Sequence, residues 1–150
     1  MLFRLPPYHR NFNKRIVKQP KLYFYDTGLA CTLLGLEKAD QLESHYLRGS
    51  LFENAVILEK MKGIFNTSRF PKLFFWRDHR GREIDLIEER ADGIDATEIK
   101  SGATLNEHYF ENLRWFAKTV SSDALSLNLC YGGERDTQRG EIDVKSWKSV

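Results

Sequence analysis

From Tyr46 to Gly63 the chain carries an unbroken, proline-free run whose apolar residues Leu51, Phe52, Ala55, Val56, Ile57, Leu58 and Met61 cover most of a helix's circumference. A helix that is apolar nearly all round packs inside a fold rather than on its surface. Directly after it the hydrophobic period changes. LFFWRD (residues 73–78) is aromatic and strand-like, HRGR is a turn about Gly81, and EIDLIEE (83–89) alternates as the second arm of a hairpin. ADG (91–93) turns into a third strand, IDATEIKS (94–101). Residues 106–120 place Tyr109, Phe110, Leu113, Phe116 and Ala117 on one helical face, LSLNLCYG (125–132) is a fourth strand, GGERDTQRG is a loop, and EIDVKSW (141–147) is a last edge strand. A buried helix, a hairpin with a third strand, and then a strand–helix–strand crossover predict an α/β fold. The sheet is mixed and flanked by helices, with one parallel, right-handed connection.

The N-terminal part reads differently. Residues 1–20 hold three of the four prolines and show no sustained period, which predicts an extended or irregular, linker-like segment ahead of a domain over 21–150. LYFYD (22–26) is a short strand, Asp26 or Thr27 caps a helix through Leu34, Gly35 ends it, and 37–45 add a helical turn. Six Lys/Arg (Arg4, Arg10, Lys14, Arg15, Lys18, Lys21) and no acid fall before Asp26, among Phe3, Tyr8, Phe12 and Tyr23. Such an arm could track a phosphate backbone, or it could be a linker or docking segment of a larger protein; we favour the second.

At 150 residues the length suits one domain. No apolar run reaches the roughly 18 residues of a membrane helix, and MLFRLPPYHR lacks the core of a signal peptide, so a cytoplasmic, membrane-free protein is expected. Cys31 and Cys130 lie far apart in apolar segments and read as free, buried thiols; His9, His45, His79 and His108 share no ligand spacing.

Chemistry concentrates in four positions. Glu98 and Lys100, two apart on a strand, project to one face, while Ile99 packs on the other. Asp85 can lie beside them if its strand is the neighbour, and Glu53 can join if its helix crosses that face. Taken singly these positions say little, because Glu-x-Lys is common on solvated strands. Glu53 is more telling, since a carboxylate within so apolar a helix needs a partner. Three carboxylates in one pocket repel one another, and a hard divalent cation such as Mg²⁺ relieves that repulsion.

A helix Glu (Glu53 in LFENAV), a strand Asp (Asp85 in GREIDLI) and Glu-x-Lys on the next strand (Glu98-Ile99-Lys100 in TEIKSG) resemble the PD-(D/E)XK, restriction-endonuclease-like superfamily. More narrowly, KLYFYDTGLACTLLGL, RGSLFENAVILEKM, FFWRDHRGREIDLIEE and TEIKSGATLN are similar to the C-terminal domain of a bacterial and archaeal AAA-type ATPase family, over nearly the whole chain. No G-x-x-x-x-G-K-[ST] is present, so no ATP site of that kind is expected in this chain; an ATPase module in cis is what the resemblance implies for the full-length family, with this chain a piece of it. The resemblance also implies Mg²⁺-dependent (or Mn²⁺-dependent) hydrolysis of nucleic acid, DNA before RNA. Asp85, Glu98 and the Ile99 carbonyl would hold the metal, and Glu53 would hold a second metal or orient a metal water. Lys100 would position water or stabilise phosphate charge. The rival reading is a non-catalytic nucleic-acid-binding or protein-docking module that keeps the fold, favoured by a net charge of only +2. A third, an oligomerisation domain, rests only on the aromatic run Phe74-Phe75-Trp76.

Overall fold

The computed structural model describes residues 1–8, 19–120 and 124–150. Strands β1 (Leu2–Leu5) and β2 (Lys21–Phe24) form an antiparallel ribbon. Three helices follow: α1 (Thr27–Leu33), α2 (Ala39–Glu43) and α3 (Arg48–Asn66). Asp26 caps α1 by accepting from the Leu29 amide at 3.0 Å, and Gly35, at φ 71°, lies just past its end.

The main sheet contains β3 (Leu73–Arg77), β4 (Glu83–Glu89), β5 (Ile94–Lys100), β6 (Leu125–Tyr131), β7 (Thr137–Arg139) and β8 (Ile142–Ser146). Their order is β3-β4-β5-β6-β8-β7. The first three strands are antiparallel, β5, β6 and β8 run parallel, and β7 returns antiparallel to β8. The expected α/β architecture is therefore present: a mixed sheet flanked by helices. The connection from β5 to its parallel neighbour β6 carries a 3-10 turn (Glu107–Phe110) that runs into α4 (Glu111–Thr119), with Asn106 accepting from the His108 amide at 2.9 Å.

Alternation along the strands divides the core in two. Phe75 joins Val56, Ile57, Leu58, Met61 and Ile64 of α3, whereas its neighbour Trp76 joins Phe110, Leu113 and Phe116 below α4. Cys130 and Leu129 on β6 divide the same way. So α3 and α4 cover opposite faces, and each fully buried large apolar side chain contributes about 1.5–3 kcal/mol.

Several expectations change. The helix α3 is not buried all round; Leu51, Phe52 and Ala55 are half-exposed and Phe65 is 50% exposed, because only one stripe meets the sheet. The GGERDTQRG loop contains β7, which takes the edge expected for the last strand; Thr-Gln-Arg, wholly exposed, has no apolar alternation to announce it. Part of the expected linker-like segment is packed: Leu5 and Tyr8 are buried, and Pro6, Pro7 and Tyr8 lie along the outer edge of β3. The rest of that segment, with Arg10, Phe12, Lys14, Arg15 and Lys18, lies outside the described residues, as does His9. Cys31 is half-exposed rather than buried, and both cysteines are free. Phe75 and Trp76 are fully buried in the core, and Phe74 is half-buried. Among the described residues no helix is long and apolar enough to cross a membrane.

Candidate functional site

A break in the sheet creates the site. Phe74 pairs with Ile87 and Trp76 with Ile84, so β4 carries one residue more than β3 across this interval. Such a bulge bends its strand and disturbs the ladder. On the other side, β4 and β5 pair from Glu89↔Ile94 only as far as Leu86↔Thr97. Past that point the Ile99 amide donates to Asp85 Oδ2 at 2.8 Å. A carboxylate thus takes up a donor of the parting strand, and is fixed by it.

Two groups of polar side chains meet there and share Asp85. In the first, Lys100 Nζ lies 2.6 Å from Glu98 Oε1 and 3.7 Å from Asp85 Oδ2. Asn112 of α4 donates to the same Glu98 oxygen at 3.2 Å. The Glu98 side chain is 3% exposed, and its Oε2 has no hydrogen-bond partner among the described residues. In the second group, Glu53, Glu83 and Asp85 each present an oxygen within 4.8 Å of the others. Lys21 Nζ lies 2.7 Å from Glu53 and also contacts Glu83; Tyr23 donates its hydroxyl to Glu53, and Arg77 pairs with Glu83.

The structure thus brings Asp85, Glu98 and Lys100 together. It brings Glu53 to Asp85 within the second group, half-buried rather than buried. The Ile99 side chain packs in the α3-side core, as expected. Glu83, Lys21, Tyr23 and Asn112 are absent from the residues expected from sequence. Glu83 and Asp85 are two apart on one strand, the same spacing that singles out Glu98 and Lys100. Lys21 and Tyr23 sit in the basic arm, where charge alone gave no reason to choose them.

Burial, reinforced by the charges of Glu98 and Glu53, pushes the Asp85 carboxyl up to about 8, against the opposing pull of Lys100 and the Ile99 amide. Burial likewise raises Glu98, although Lys100 and Asn112 oppose it. For Lys100 and Lys21 burial acts to lower the value, but the surrounding carboxylates outweigh it and both ammonium groups are raised. Burial and Glu53 raise the Tyr23 phenol. A crowded set of hard oxygen donors with one buried oxygen unpartnered fits a hard divalent cation. Next to it runs a groove of about 520 Å³ between β2, α1 and α3, lined by Tyr23, Leu33, Leu51, Glu53 and Arg77 among others.

A family model described as "Domain of unknown function (DUF4143)" matches residues 48–150. The chain belongs to the DUF4143 family. A second model, "Domain of unknown function (DUF8612)", matches residues 1–40. Among similar proteins are uncharacterized proteins of Mycobacterium bovis and Mycobacterium tuberculosis, each 33% identical over 101 residues. The match takes in 67% of this chain but 22% of each relative, so the chain spans about a fifth of their length. No solved structure matches. Glu53, Glu83, Asp85, Glu98 and Lys100 all fall within the DUF4143 match, whereas Lys21 and Tyr23 come from the DUF8612 segment.

Proposed function

We propose that this DUF4143 domain is a nuclease-like domain of the PD-(D/E)XK type. It hydrolyses a phosphodiester in nucleic acid, DNA before RNA, with Mg²⁺ or Mn²⁺, and in longer proteins it works beside an ATPase module. The observation that carries this reading is the meeting of Asp85, Glu98 and Lys100 where β4 and β5 part. Asp85, Glu98 and the Ile99 carbonyl would hold the cation, and Glu53 would hold a second cation or orient a metal water. When bound, the cation would polarise the scissile phosphate and acidify a water. Lys100 would stabilise the negative charge that develops on the phosphate, a role supported by its ammonium lying within reach of both carboxylates. Asn112 would orient Glu98 through its amide.

The test is calorimetric titration with Mg²⁺ or Mn²⁺, followed by incubation with duplex and single-stranded oligonucleotides. Wild type is expected to bind saturably and to cut. Asp85→Ala is expected to lose both, and Lys100→Ala to lose cutting, with each variant still folded by circular dichroism. Cutting retained in either variant would sink the assignment.

One observation favours the docking-module alternative: each carboxylate already has a cation. Lys21 serves Glu53 and Glu83, Arg77 serves Glu83, and Lys100 serves Asp85 and Glu98. Nucleic-acid binding with no metal binding at millimolar concentration would select that reading.

A further inference from the structure

The Glu53–Glu83–Asp85 group already contains a positive charge, and it comes from another part of the chain. Lys21 Nζ, on β2, lies 2.7 Å from Glu53 Oε1 and in contact with Glu83. Its side chain is 19% exposed, so the ammonium is largely withdrawn from water. The cation is also seated: Nζ stands 5.6 Å from the centre of the Phe75 ring and 6.0 Å from that of Tyr23. Tyr23, two residues along the same strand, donates its hydroxyl to the same Glu53 oxygen. Asn54, beside Glu53 on α3, grips the backbone of β2 by accepting from the Phe24 amide and donating to the Phe24 carbonyl, both at 2.8 Å. The strand is therefore held at the carboxylates by several independent contacts.

We propose that Lys21 is an internal counter-ion that keeps the Glu53–Glu83–Asp85 group closed to divalent cations, so that cation binding requires its ammonium to withdraw. A divalent ion bridging Glu53 and Asp85 would lie close to Nζ, and repulsion between them would be strong in a half-buried setting. The ammonium also takes up acceptor positions on Glu53 and Glu83 that a cation would need. Lysine suits the part because its charge is compact and its stem flexible, so it can swing away without unfolding the strand. Lys21 lies in the segment matched by DUF8612, and the carboxylates lie in DUF4143. The contact thus joins the two matched segments.

The inference rests on the proposed function only in taking Asp85 and Glu53 as groups that meet a divalent cation, and adds Glu83 beside them; cleavage plays no part in it. The experiment is calorimetric titration of the full chain with Mn²⁺ at fixed pH and ionic strength. Lys21→Met keeps an unbranched apolar side chain for Phe75 and Tyr23 and removes the charge. It is expected to tighten Mn²⁺ binding at least about tenfold, and its Tm should rise with added Mn²⁺ more than that of wild type. Lys21→Arg, which keeps the charge, should show no tightening. The double variant Lys21→Met/Glu53→Gln should lose the gain. If Lys21→Met does not fold without metal, Lys21→Gln replaces it, since a neutral amide can still hydrogen-bond Glu53. Equal or weaker affinity in the neutral variants, or no binding in any variant, overturns the inference. Tighter binding without cleavage of any oligonucleotide would retain it and remove the hydrolytic reading. Cleavage by wild type with affinity unchanged by Lys21→Met would do the reverse.

Discussion

Asp85 is buried beside two like charges, yet its oxygen is held by a backbone amide and faced by Lys100. With a folded-state pKa of about 8, against an ordinary 3.8, it keeps a proton in the metal-free fold that the unfolded chain gives up. The native state therefore binds more protons over that interval. Asp85's contribution to stability is present at acid pH and is lost as pH rises from about 4 to 8. Asp85→Asn retains an acceptor for Ile99 and removes the titration. In chelator-treated buffer it should stabilise the chain relative to wild type at pH 8.5 by at least ~1 kcal/mol, about 2–4 °C in Tm for a domain of this size. The advantage should shrink at pH 5, and thermal melts at the two values check it. A gain independent of pH would mean that the carboxyl does not titrate in this interval. Glu53 was legible as a site residue because it sits among apolar neighbours where a charge is unexpected, and Glu98 through its two-residue spacing from Lys100 and the resemblance that joins them to Asp85. Glu83 was not, because it opens a strand whose alternation excuses a polar residue there.

Contacts between elements decide how firmly the site is held. Asn54 is 4% exposed and forms the clamp between α3 and β2. Asn54→Ala would strand the Phe24 amide and carbonyl, at a cost of about 2–3 kcal/mol. Urea unfolding should show this as a lower midpoint with unchanged slope. A full-strength clamp in the variant would mean that β2 is held elsewhere. On the other flank, the Gly132 amide is shared between the Lys100 carbonyl at 3.0 Å and the Gly102 carbonyl at 3.1 Å. A Cβ at residue 132 would stand 2.3 Å from the Ser101 carbonyl oxygen, so Gly132→Ala must push the end of β5 away from β6. We expect a loss of about 1–3 kcal/mol, as in overpacked cores. Weakened metal binding should accompany it, since Glu98 and Ile99 lie at the end of the displaced strand; calorimetry on the folded variant reads that second effect. At this scale the sequence was read well where period and caps agree, as in α1 with Asp26, in β4, and in the β5–α4–β6 crossover. It was read poorly where an element is short and polar, as in β7.

Over the whole molecule, a two-faced sheet could be expected from apolar strands set between two apolar helices, and the split between Phe75 and Trp76 bears that out. What could not be read is how the N-terminal segment returns to the sheet. Leu-Phe-Arg-Leu followed by two prolines is too short and too interrupted to declare a strand, and its partners lie far along the chain. Phe75 donates its amide to the Pro6 carbonyl at 3.1 Å, and Tyr8 donates to the Phe75 carbonyl at 2.7 Å. Pro6 to Tyr8 therefore act as a hem on β3, satisfying backbone groups that an outermost strand leaves open. A chain trimmed to begin at Lys21 would bare Leu-Phe-Phe-Trp-Arg as an apolar border with free amides and carbonyls. Sedimentation velocity should find it associating with rising concentration while the intact chain does not; a monodisperse trimmed chain would show that the hem is dispensable. The opposite border needs no such cover, since β7 is three exposed polar residues long. This domain would thus be sticky along one side only, and its tendency to self-associate would depend on Pro6 to Tyr8 staying on β3.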